Sequence, residues 1–150
     1  QQPLRTSLLD RFDPNAADRH GVTLGELKAV VCNDLRKLLN TRRRCQAFPP
    51  ELRELERSLV NYGIPDFTSA NLGSPQARES FRRDLEQAIR ACEPRFKSVQ
   101  VQFDGPESFD RTLRFKIHAV LYAEPLPEPV VFDSMLEPAT GAVDVKEGEA

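Results

Sequence analysis

The 150-residue chain has no tryptophan, one methionine, two tyrosines, two histidines and three cysteines. Each scarcity removes a class of function. With no tryptophan and aromatics at 7%, nothing marks a sugar-binding cleft, and the basic residues are not interleaved with aromatics as nucleic-acid surfaces are. Cys32, Cys45 and Cys92 are an odd number without metal-ligand spacing, which reads as reduced thiols in a cytosolic protein. His118 has no cysteine or histidine at ligand spacing and reads as a solvated side chain on a sheet face. No apolar run approaches the ~20 residues of a membrane helix. The first residues lack the charged-then-apolar order of a secretory signal. No glycine-rich phosphate loop, metal cluster or nucleophile motif occurs. The expectation is therefore no metal, no cofactor and no insertion into a membrane.

What is present describes a globular protein. A chain of this length fits one domain that buries roughly 70% of its unfolded surface, and 39% hydrophobic with 29% charged residues suits a soluble fold. The net charge of −2 conceals a division: residues 1–116 carry 20 basic and 16 acidic side chains, net +4, and residues 117–150 carry one and seven, net −6. The first part could face an acidic partner, which the tail would repel. Arg42-Arg43-Arg44 is the densest basic run, yet the sequence pI is near 5.8 and no nucleic-acid motif accompanies it, so nucleic acid is not expected as a partner.

The hydrophobic period changes once, at Cys92-Glu93-Pro94-Arg95-Phe96. Before it the spacing is helical. Thr23 with Glu26 forms a capping-box signature, and Leu24, Leu27, Val30, Val31, Leu35, Leu38 and Leu39 make one stripe opposite Asp34, Arg36 and Lys37. Leu52, Leu55 and Leu59 form a shorter apolar face after Phe48-Pro49-Pro50. Ser74-Pro75 opens a second long helix in the favoured cap-then-proline order. Its stripe is Ala77, Phe81, Leu85, Ala88, Ile89 and Cys92, with Arg82, Arg83, Glu86 and Arg90 on the wet side. Pro94 ends it, lacking an amide hydrogen and forcing Glu93 out of helical geometry. Beyond that point apolar residues alternate: Val99, Val101 and Phe103, then Leu113, Phe115, Ile117, Ala119 and Leu121, with His118 facing the other way. The second of these strands could span roughly 35 Å at ~3.4 Å per residue, which suits the middle of a sheet. Glu124 to Pro129 reads as a stiff connector, and Val130–Leu136 and Ala142–Val145 bracket a turn at Pro138-Ala139-Thr140-Gly141. The fold class is α+β: a single domain with a mostly antiparallel sheet of about four strands and helices packed on one face. Residues 1–22 read as an N-terminal segment and linker, 23–146 as the domain and 147–150 as a disordered tail.

Three polar motifs stand apart from this framework: Leu38-Leu39-Asn40-Thr41-Arg42-Arg43, Ser58 to Phe67 around Asn61-Tyr62-Gly63-Ile64-Pro65-Asp66, and Glu93-Pro94-Arg95. Each has a purely structural reading. Arg42 and Arg43 suit the negative end of a helix dipole. Gly63 and Pro65 suit a tight turn, with Tyr62 and Asp66 left open as surface contacts. In extended chain Glu93 and Arg95 lie on one side, as a local ion pair or as a rigid polar clamp for a partner.

In order and spacing this trio resembles TssE, the small-baseplate-subunit family of bacterial type VI secretion systems, which is grouped with a wedge protein of contractile-tailed phage baseplates. The likeness runs from about Ser7, where a Ser-Leu-Leu-Asp-Arg stretch begins, to Val145 after a Thr-Gly turn. It implies a structural part of a cytoplasmic baseplate docked at the inner membrane. Such a part joins the wedge subunits TssF and TssG, with TssK nearby, to a sheath of TssB and TssC, and templates that sheath by strand addition at a sheet edge. Residues 96–103 and 142–146 are the candidate edges. Glu93, Pro94, Arg95, Arg42, Arg43, Tyr62 and Asp66 are the partner-binding candidates that the resemblance favours. The alternative is a lysozyme-like glycoside hydrolase, since the family has carried that label. It needs two opposed carboxylates, one kept protonated. Glu93 has Arg95 beside it favouring the ionised form, and no second acid stands in a distinctive setting, so an enzyme is not expected.

Overall fold

A computed structural model describes residues 23–44, 49, 51–56, 58–67, 74–105, 112–123, 126–137 and 139–148. The expected Ser7–Phe12 piece, the linker at 13–22, and Cys45, Phe48 and Pro50 lie outside the described residues. Helix α1 spans Leu24–Asn40 and opens with the capping box: the Thr23 hydroxyl accepts from the Glu26 amide at 3.2 Å, and the Glu26 carboxylate accepts from the Thr23 amide at 2.9 Å. Reciprocal satisfaction of two otherwise unpaired donors fixes the helix start. Leu27, Val31, Leu35, Leu38 and Leu39 are buried, joined by Cys32, while Leu24 and Val30 sit half-buried at the margin of the stripe.

Helix α2 is a single turn at Arg53–Glu56, followed by a 3-10 turn at Leu59–Asn61. The expected Leu52-Leu55-Leu59 face does not join the core. Leu59 is 88% exposed and Leu52 is also exposed, because one helical turn is too short to carry all three to one side.

Helix α3 spans Pro75–Cys92 and buries Phe81, Leu85, Ala88 and Ile89. It stops where Pro94 predicts, with Glu93 at φ −120°. Glu86 departs from the sequence reading. It was expected on the wet side and is only 8% exposed, because α3 runs along the border of the sheet and turns this flank against strand backbone.

The sheet comprises β1 (Phe96–Phe103), β2 (Leu113–Leu121), β3 (Glu128–Glu137) and β4 (Ala142–Glu147), antiparallel throughout in the order β1-β2-β3-β4. The long second strand is central, as its length suggested. Cross-strand rows such as Val101–Ile117–Phe132 put the core-forming apolar residues on one face, while Met135 and Val131 lie on the other. There α3 packs against β1 and α1 against β4. Phe81 links the layers, its ring 5.0 Å from Phe67 and 6.2 Å from Phe103. The opposite face carries Gln100, Gln102, Lys116, His118, Asp133 and Asp144, which are exposed or half-exposed.

Two irregularities matter later. Phe96 pairs with Leu121 and Ser98 with Val120, so Lys97 is an inserted bulge residue. Glu147 and Gly148, assigned by sequence to the tail, are tied to β3: Glu147 opposes Phe132, and the Gly148 amide donates to Val131 O at 2.8 Å.

Candidate partner-binding surface

The segments after α1 and after the 3-10 turn are zipped together. The Arg43 amide donates to Ile64 O at 2.8 Å and the Ile64 amide to Thr41 O at 2.9 Å, forming a parallel bridge between Arg42 and Ile64. This approach explains Gly63. Its φ is +113°, and a Cβ there would lie 2.5 Å from Thr41 O. Glycine meets both demands, conformational and steric.

Arg42 serves the dipole-end role and more. One guanidinium nitrogen donates to Leu39 O at 2.9 Å, another donates to Gly141 O in the β3–β4 turn, and the group lies 4.3 Å over the Phe67 ring. Burial pushes its pKa down, against the pull of Asp66.

Glu93 and Arg95 share a side, as the extended geometry predicts, and a third group completes the arrangement. Arg95 Nε donates to Glu93 Oε1 at 2.6 Å, and Nη2 donates both to Glu93 Oε2 and, at 2.6 Å, to Asp34 Oδ2 on α1. Glu93 is 6% exposed, so this is a near-buried triad that also ties the α3–β1 junction to α1. Burial alone would lower the Arg95 pKa, but the hydrogen bonds and charges of Glu93 and Asp34 outweigh it and hold the pKa up. Arg95 Nη1 is buried and has no hydrogen-bond partner among the described residues. Both Glu93 oxygens act as acceptors, the reverse of what a general acid needs.

Tyr62 is half-buried beside this triad. Its pKa is raised first by desolvation and then by Cys92, Asp34 and Glu93, which places it within electrostatic reach of all three. Pro94 and Asp66 are exposed, and Arg43 is half-buried. All three motifs therefore converge on one region, knitted by Thr41, Ile64 and Asp34. The shallow cavity of about 430 Å³ on the outer sheet face, lined by Arg114, Lys116 and Asp144 among others, includes none of the seven candidates. Among the described residues no cluster of His, Cys, Asp or Glu could hold a metal, and no helix is long and apolar enough to cross a membrane.

Helix side chains finish the borders of the sheet. On β4, Asn40 accepts from the Val143 amide at 3.0 Å and donates to Val143 O at 2.7 Å, and Arg36 donates to Val145 O at 2.6 Å. On β1, Glu86 accepts from the Val101 amide at 2.9 Å and Arg90 donates to Val99 O at 2.6 Å. Several outward backbone groups of both edge strands are thus satisfied by helix side chains. One signal was available: Arg36 and Asn40 each follow a buried stripe residue (Leu35, Leu39), as Glu86 and Arg90 follow Leu85 and Ile89.

Comparison with known proteins bears on this arrangement. The family model described as "Baseplate wedge protein gp25" matches residues 25–126. No curated protein matches. A chain in the solved structure "The baseplate complex from the type VI secretion system" is similar in fold, with a TM-score of 0.51 at 18% identity, covering 74% of this chain and 94% of that one.

Proposed function

Because this chain belongs to the family of baseplate wedge protein gp25, we propose that it is the TssE-type subunit of a type VI secretion baseplate. In this reading it joins the wedge subunits TssF and TssG, with TssK nearby, to the first ring of a TssB–TssC contractile sheath. It does so as a structural part, in a cytoplasmic baseplate docked at the inner membrane.

The observation that carries the sheath half of this reading is the way the sheet ends. Among the described residues no fifth strand covers β1 or β4, and side chains occupy some of their outward backbone groups. A side-chain hydrogen bond can be exchanged for a main-chain bond from an incoming strand at little net cost. Strand addition then supplies affinity through the ladder and specificity through alternate side chains. A sheath ring built on such an edge inherits the geometry of the baseplate.

The wedge half rests on the clustered motifs. Pro94, Asp66, Arg43 and Tyr62 lie at the surface or just beneath it, over a base stiffened by Arg42 and the Glu93–Arg95–Asp34 triad. A rigid polar patch of this type fixes orientation between subunits.

Co-purification tests the reading. A tagged copy of the chain, expressed with its neighbouring secretion proteins, is expected to retain TssF–TssG and TssB–TssC. Recovery of the chain without either pair, under conditions where those pairs assemble with each other, contradicts it.

A further inference from the structure

The outward face of α3 carries charge of a single sign. Gln76, Ser80, Arg83, Gln87 and Arg90 are all exposed, and their alternating spacing of four and three residues lines them up along the helix. At 1.5 Å per residue the stripe is about 21 Å long, with Arg83 and Arg90 about 10 Å apart on it. It holds cations and no carboxylate. Pro94 and the Lys97 bulge, both exposed, follow the helix end, so the stripe runs on into the surface formed by the three motifs.

The acids of the helix lie beneath or beside this stripe. Glu86 is 8% exposed and accepts from the Val101 amide. Glu79 is shared by Arg82 at 2.7 Å and Arg83 at 3.0 Å. Asp84 follows Arg83 and therefore points about 100° away from it. The arginines turn outward, with the Arg83 side chain 72% exposed and that of Arg90 57% exposed. Each guanidinium is anchored at one corner: Arg83 Nε donates to Glu79 at 3.0 Å, and Arg90 Nη2 donates to Val99 O at 2.6 Å. The remaining nitrogens keep donors that no described residue accepts. The forks are thus held in place before any partner arrives.

We propose that this stripe docks an acidic helix of a wedge subunit, whose carboxylates two turns apart meet Arg83 and Arg90. The proposal rests on the wedge half of the reading above and adds a second contact to it.

Repeat length identifies the partner as a helix. Residues seven apart on an α-helix share a face and lie about 10 Å from each other, in step with Arg83 and Arg90. An extended segment returns to the same side every ~6.8 Å and loses step after one contact. Charge identifies it as acidic, since a carboxylate matches the guanidinium fork. The five residues include no apolar or aromatic side chain, so nucleobases find no stacking platform. Attraction is therefore electrostatic and sensitive to salt, and it orients a subunit already held at the motif surface.

Binding of the whole protein to the purified TssF–TssG pair, measured at about 0.05 M and about 0.5 M salt, tests this. Arg83→Glu is expected to weaken binding about tenfold at the lower salt and less than about threefold at the higher. Arg83→Gln, which adds no repulsion against Glu79, is expected to weaken it about threefold, and Lys146→Glu on β4 less than about twofold. Thermal unfolding of each variant by circular dichroism separates weaker docking from a weaker helix. Wild-type affinity in both Arg83 variants, or a loss that salt does not change, overturns the acidic helix and leaves the wedge reading standing. A loss confined to TssB–TssC binding assigns the stripe to the sheath and overturns the partner named here. Failure of TssF–TssG to bind the wild-type protein overturns both.

Discussion

Asn40 meets Val143 with both ends of its amide, accepting from the backbone N–H at 3.0 Å and donating to the backbone O at 2.7 Å. One helix side chain thereby takes the place that a neighbouring strand would fill. Glu86 and Arg90 do the same in two halves on β1. Protecting edges in this way keeps a sheet from pairing with copies of itself.

Asn40→Ala is expected to cost about 1–2 kcal/mol in urea unfolding and to speed exchange of the Val143 amide, because two backbone groups lose their partner. Asn40→Asp is expected to cost more, since a carboxylate would face the Val143 carbonyl. Equal stability of the three proteins would show that these bonds do not contribute.

The Arg95 cluster predicts a non-additive cycle. Arg95→Ala leaves Glu93 at 6% exposure without its counter-ion, a loss of about 3–5 kcal/mol. Arg95→Ala combined with Glu93→Gln is expected to recover part of that loss, because the orphaned charge is gone. Chemical denaturation of the two single variants and the double variant reads the coupling directly, and strict additivity contradicts a buried, mutually dependent pair.

Gly63→Ala adds a Cβ 2.5 Å from Thr41 O at φ +113°. A loss of about 2–4 kcal/mol is expected by thermal unfolding. Wild-type stability would mean that the Thr41–Ile64 zipper is not formed in solution.

Alkaline pH is expected to destabilise the fold through Tyr62. Desolvation first, then Cys92, Asp34 and Glu93, raise its folded-state pKa above the ordinary value. The folded state therefore holds its proton where the unfolded state releases it, so stability is constant below the ordinary tyrosine range near ~10 and falls as pH rises through that value towards the folded one. Stability measured against pH should slope downward there in the wild type and less steeply in Tyr62→Phe. Parallel curves would place Tyr62 in solvent.

The architecture was legible because it depends on period and punctuation. Thr23 and Glu26 mark the start of α1, Pro94 the end of α3, and the alternation through Phe115, Ile117 and Ala119 the central strand. The family was legible from three short motifs, and the gp25 match over residues 25–126 agrees with it. Tertiary pairing of polar groups was not legible. Asp34 shows no sign in the chain that it reaches Arg95, 61 positions away, and Glu86 looks solvated until β1 is laid beside it. Apolar stripes repeat along one element, whereas a polar contact depends on where two elements cross.

Sheath assembly in living cells tests the central claim most directly. With a fluorescent TssB in the producing bacterium, removing this chain is expected to abolish extended sheaths, and supplying it again should restore them. Sheaths of normal number and length in its absence would contradict the account.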